Sequence, residues 1–219
     1  MKFKVTVILL LLSTSFMVNA QEIPSTKFGK GIFNIVGKDS SWTMKVGARM
    51  QFLTLASWEN DHGELTNGEA AFLVRRARLK FDGYALTPKL EYKIELGLSN
   101  RDMSGSSIYT SNTPRFILDA VMKWNFYKNF ELWFGQAKLP GNRERIVSSG
   151  NLQFVDRSIL NAGFNIDRDL GIQFRHHFHL TDTFIVREAL AISQGEGRNV
   201  TTGNIGGFQY TGHWYHLRF

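Results

Sequence analysis

The stretch LVRRARLKFDGY, Leu73–Tyr84, places four basic residues within six positions. Read at every second residue it separates into two faces. Leu73, Ala77, Leu79 and Phe81 share one face, interrupted by Arg75, while Arg76, Arg78, Lys80 and Asp82 share the other. Successive side chains of a strand point to opposite sides of the sheet. The stretch therefore predicts a strand with hydrocarbon on one side and a row of guanidinium and ammonium groups on the other. That alternation already explains the basic run, so no nucleic-acid partner is expected.

The same period recurs along the chain. From Trp42 to Phe52 the even positions are Trp, Met, Val, Ala, Met and Phe, against Thr43, Lys45, Gly47, Arg49 and Gln51. Leu90–Leu98 alternates with Glu91, Lys93 and Glu95, and Phe116–Phe126 sets Leu118, Ala120, Met122 and Trp124 against Asp119, Lys123 and Asn125. Leu170, Ile172 and Phe174 face away from Asp169, Gln173 and Arg175. A soluble β-sandwich would produce the same alternation. Strand length argues against it: these runs reach roughly 9–15 residues where ordinary strands have 5–6, and about 9–11 tilted residues cross a bilayer. Trp42, Trp58, Tyr84, Trp124, Phe126 and Tyr127 sit at the ends of apolar faces, where an interfacial girdle lies.

Connections alternate in length as well. ENDHGELTNG after Trp58 reads as a long loop and ALTPK as a short turn. NRDMSGSSIYTSNTPR is long and YKN short; a connection of about 30 residues follows Ala137, then short LTDT and longer QGEGRNVTTGNIG. Long loops outside and tight turns in the periplasm mark outer-membrane barrels. The expected fold class is all-β, an antiparallel transmembrane β-barrel with about eight long strands.

The first twenty residues have a basic start (Lys2, Lys4), an apolar core and the ending Val18-Asn19-Ala20. This is a secretory signal peptide, too short in its apolar run for a membrane helix. Cleavage after Ala20 leaves residues 21–219 as one barrel domain. Removing Lys2 and Lys4 from 26 basic residues leaves 24 against 19 acidic ones, a net charge of +5. There is no cysteine, hence no disulfide framework. The expected place is the outer membrane of a Gram-negative bacterium, with its lipid as a partner.

A mid-bilayer Arg or Lys on the lipid face costs about 2–4 kcal/mol, so the charged faces must point into an aqueous lumen. Lys45, Arg49, Arg76, Arg78, Lys80, Lys93, Lys123 and Arg175 are then lumenal, together with Asp82, Glu91, Glu95, Asp119 and Asp169. Inward cations offer small anions stepwise partners, and the planar fork of Arg suits phosphate and carboxylate. Alternatively these charges only solvate the lumen and neutralise one another.

Six pieces in order carry a family resemblance: VGARMQ (Val46–Gln51), LVRRARLKFDGY, LEYKIELGLSN (Leu90–Asn100), ILDAVMKWN (Ile117–Asn125), WFGQAKLPGNRE (Trp133–Glu144) and FVDRSILNAGFNIDRDLGIQ (Phe154–Gln173). From about Phe28 to Gly212 the chain resembles the phosphate-selective porin O and P family, and the last two pieces are the most specific. The resemblance implies homotrimers of barrels of about 16 strands, passage of phosphate or polyphosphate, and a long third loop folded into the channel. It assigns that loop to the connection after Ala137, with Lys138, Arg143, Arg145 and Arg157 as its cations. Pairing of Arg157 and Arg168 with Asp156, Asp167 and Asp169 is the structural alternative.

Eight long strands are half the number the family implies. The last one also changes parity, since Phe208 and Tyr210 share one face while Tyr215, Leu217 and Phe219 share the other. A one-residue slip exchanges faces, so HWYHLRF is expected to need a bulge or to be foreign to the pattern. Half a barrel is the expectation; the rival is a closed eight-stranded barrel with a structural or binding role and no open pore. No cofactor, metal site or catalytic residue is expected. His176, His177 and His179 alternate between faces, and Ser148, Ser149 and Ser158 lie in loops without an evident base.

Overall fold

A computed structural model of the chain describes residues 32–154, 156–201 and 206–218. The expected signal peptide and its cleavage after Ala20 lie outside the described residues. The strands are β1 (Phe33–Val36), β2 (Thr43–Asp61), β3 (Glu64–Ala85), β4 (Thr87–Gly97), β5 (Ile117–Tyr127), β6 (Phe130–Lys138), β7 (Arg168–Thr181), β8 (Phe184–Ser193) and β9 (Gln209–Arg218). They form one nine-stranded antiparallel sheet in sequence order. Eight of them are the long strands expected; β1, with four residues, is the addition. Among the described residues β1 and β9 do not pair with each other, so the sheet is open there, unlike the closed small barrel of the rival reading.

Burial is inverted relative to a soluble protein. Phe72 is 84% exposed and Phe134 62%, whereas Arg76 and Asp119 are each 3% exposed. A sandwich would bury the apolar faces against a second sheet, and no second sheet exists among the described residues. Hydrocarbon outside and charge inside is the arrangement of a sheet solvated by lipid on its outer face. No helix among the described residues is long and apolar enough to cross a membrane. Near the short turns, Trp124, Phe126, Phe130 and Phe174 form a chain of ring contacts, with centroids 5.6, 6.3 and 5.7 Å apart. Phe134→Arg on this outer face is expected to lower stability by about 2–4 kcal/mol, read as a fall in the urea midpoint of protein refolded into lipid.

Three expectations are corrected. First, Leu73 is not on the outer face. Gln51 pairs with Arg76 and Phe52 with Val74, so β3 carries one extra residue, Arg75, in a bulge. A bulge places two residues opposite one and resets parity: Phe72 and Val74 face out, Leu73 turns inward, and Arg75 leaves the lipid side. Second, ENDHGELTNG is not a long loop. β2 and β3 continue to Asp61 and from Glu64, joined by His62-Gly63 with φ of 51° and 99°. Two successive positive-φ residues make the tight hairpin turn whose twist matches its strands. Third, of the two alternatives expected for HWYHLRF the bulge is absent over residues 213–218. β9 pairs β8 without a register shift from Ser193↔Gln209 to Phe184↔Arg218, so Tyr210, Gly212 and Trp214 face outward and Tyr215 faces the lumen.

Candidate functional site: a basic lumen and its folded-in loop

The connection Leu139–Asp167 folds against the inner faces of β2 and β3, and arginines of those strands hold it. Ser149 Oγ accepts from Arg49 Nη2 at 2.5 Å and from Arg78 Nη1 at 3.1 Å. Asp156 accepts from Arg75, and from Arg76 Nη2 at 3.2 Å. Gly150 permits the close approach, because a Cβ there would stand 2.5 Å from Arg49 Nη1. Arg78 also donates to both oxygens of Asp102, at 2.7 and 2.6 Å, and to Glu95 at 3.1 Å. Asp102 belongs to the helical turn Asn100–Met103, capped by the Ser99 side chain. One guanidinium thus ties two loops to the wall. The bulge matters here, because it is what turns Arg75 inward to Asp156.

Lys138, Arg145 and Arg157, expected as cations of the loop, hold its own shape, although Lys138 does so from the end of β6. Lys138 Nζ donates to the carbonyls of Arg145, Ile146 and Val147 at 3.0, 3.3 and 3.2 Å. It thereby satisfies the open C-terminal end of the turn Arg143–Ile146. Arg157 donates to the carbonyls of Glu144 and Val147 at 3.0 and 2.8 Å. Burial, with Arg145 and Arg76 nearby, brings the Arg157 guanidinium down to about 10. Arg145 pairs with Asp167. Burial pushes the Asp167 carboxyl up, but the Arg145 hydrogen bond and the charge of Arg168 outweigh it and hold the group below its ordinary value. Of Arg143 only the backbone is described. The structural alternative therefore holds for Arg168, which meets Asp119 at 2.5 Å and Asp167 at 3.5 Å. Arg157 goes to carbonyls instead.

Between this loop and β4–β7 lies a hollow of about 230 Å³ lined by six basic side chains against two carboxylates. Arg78, Lys93 and Arg168 are engaged by Glu95, Asp119 and their neighbours. Lys123 has Glu91 only at 3.9 Å and stands 4.5 Å from the centre of the Trp133 ring. Arg175 lies 3.9 Å from that centre and donates from Nε and Nη2 to Gln173 Oε1 at 3.2 and 2.7 Å. Among the described residues Arg175 meets no carboxylate at ion-pair distance. Lys80 pairs with Asp82 at 2.6 Å in a separate hollow toward the short turns. Lys45, also on the inner face, meets no carboxylate among the described residues.

Sequence reasoning missed the roles of Arg75, Ser149 and Trp133, and it offered Asp156 to Arg157 and Arg168, where the structure pairs it with Arg75 and Arg76. For Trp133 a signal was present: it shares parity with Glu131 rather than with Leu132 and Phe134. For Ser149, and for which cations Asp156 meets, there was none, since an irregular loop carries no period.

A one-sheet antiparallel wall, apolar outside and charged inside, with a long loop folded onto its charged face, defines an outer-membrane porin. A family model described as phosphate-selective porin O and P matches residues 45–211, and the chain belongs to that family. No curated protein matches it. The family places the chain in the outer membrane, surrounded by lipid.

Proposed function

We propose that the channel passes small anions, inorganic phosphate among them, by passive diffusion, and that Arg175 and Lys123 are its principal anion contacts. The observation that carries this reading is the hollow between loop and wall, with six basic side chains facing two carboxylates. Arg175 supports it most, because stacking on Trp133 and one amide oxygen leave guanidinium N–H groups without a protein acceptor among the described residues. Arg49, Arg76 and Arg78 contribute field, but each also holds a loop, through Ser149, Asp156 and Asp102 in turn. The homotrimer and the export signal belong to the same reading; native mass in detergent and N-terminal sequencing, with Gln21 expected first, check them.

The test is conductance of protein extracted from outer membranes in planar bilayers under a salt gradient. Wild type should show an anion-selective reversal potential and block of chloride current by phosphate. The double replacement Lys123→Gln and Arg175→Gln removes two charges while keeping polarity, and should shift the reversal potential toward cations. An unchanged potential rejects these residues as the anion contacts.

A further inference from the structure

The hollow has a second character that phosphate alone leaves unused. Trp133, Ile146 and Arg175 line it and also line a neighbouring hollow of about 360 Å³ that continues to Arg187, His177 and Tyr215. These three side chains are therefore the partition between two lumenal spaces, and a solute moving from one to the other passes them. Two of the three are apolar, and the first hollow adds Val121, Ala137 and Leu139 to them.

Both apolar walls are held in place. The indole Nε1 of Trp133 donates to Glu131 Oε2 at 2.7 Å, and Arg175 lies against the ring. Ile146 closes the helical turn whose carbonyls Lys138 caps. An apolar surface fixed before the solute arrives spends little ordering entropy on contact. A fully hydrated phosphate gains nothing from it.

We propose that Trp133, Ile146 and Arg175 form a station for monocyclic aromatic carboxylates. The carboxylate takes the open N–H groups of Arg175, with Lys123 adding charge, and the flat ring rests against the indole edge and Ile146. Edge-to-face contact of this kind is favourable for aromatic pairs. The first hollow, of about 230 Å³, suits one ring and its acid group and is below the range of drug-sized ligands. This station rests on the anion-channel reading and adds a solute class to it.

The experiment compares block of chloride current by benzoate, acetate and inorganic phosphate, using the same protein extracted from outer membranes. Benzoate should block at concentrations roughly two- to tenfold below acetate, the value of one aromatic contact. Trp133→Leu should bring the benzoate-to-acetate ratio close to one. Ile146→Ser, which leaves the indole in place, should lower the ratio partway and serves if the first variant does not assemble. Equal block by benzoate and acetate in wild type, or a ratio unchanged in both variants, overturns the station. An anion-selective channel indifferent to the ring sinks only this inference, whereas a channel without anion preference sinks the function it rests on.

Discussion

Arg78→Gln is expected to cost about 3–5 kcal/mol of stability, the range for removing one partner of a buried pair. The Arg78 side chain is 14% exposed and its partner Asp102 6%, so the carboxylate left behind has little access to water. Glu95, 13% exposed, loses a partner as well. Both loops also lose their common anchor, because Arg78 reaches Asp102 in one and Ser149 in the other. The urea midpoint of the refolded protein should fall and single-channel current should become noisy. A double-mutant cycle identifies the cause: adding Asp102→Asn to Arg78→Gln should cost little more or recover part of the loss. Losses that simply add would show that Arg78 acts through something other than this pair.

Asp156→Asn should release the long loop from β3 without unfolding the sheet. Asp156 is 46% exposed on its side chain, so solvent screening reduces the contact below the roughly 1.5–3 kcal/mol of a buried charge-assisted bond. A loss of about 1–2 kcal/mol multiplies the population of loop-open states by roughly 5–30, read as brief large-conductance excursions at pH 7. Acid should imitate the substitution. The Arg75 hydrogen bond holds the Asp156 carboxyl below its ordinary 3.8, against the opposing effect of burial and with further help from the Arg75 and Arg76 charges. A carboxyl depressed in the folded state contributes stability above its unfolded pKa and loses it as pH falls through the folded one. Wild-type channels should therefore stay quiet between about pH 5 and 8 and become noisy only below about 4. Quiet records from Asp156→Asn at pH 7 would show that the loop is held elsewhere.

These two variants bear on the same reversal of roles. The row of cations in LVRRARLKFDGY looks like a ladder for anions, and in the folded chain it largely serves as a fastening for loops. Arg75 and Arg76 hold Asp156, and Arg78 holds Ser149, Asp102 and Glu95. Two strands and more away, Lys123 has only Glu91 at 3.9 Å and Arg175 meets no carboxylate among the described residues. Arg75 aside, nothing in the local pattern distinguishes the two groups, since all occupy inner-face positions of the same period.

What the sequence by itself determined is whatever repeats with the pleat. A strand shows its two faces at period two, and lipid on one side with water on the other forces hydrocarbon and charge apart. The outer-membrane class, the eight long strands, and the placing of Arg76, Arg78, Lys93, Lys123 and Arg175 on the face opposite the hydrocarbon were therefore legible. Arg75 marked the limit: a cation within an apolar face signalled an irregularity, but a bulge is a count of residues between two strands and exists only once β2 and β3 pair. The hairpin at His62-Gly63 and the lumenal Tyr215 are decided the same way, by cross-strand register. Which cations fasten the loops is decided by contacts across 24 to 100 residues of chain. Those contacts join a periodic wall to an aperiodic loop, and only the tertiary structure brings the two together.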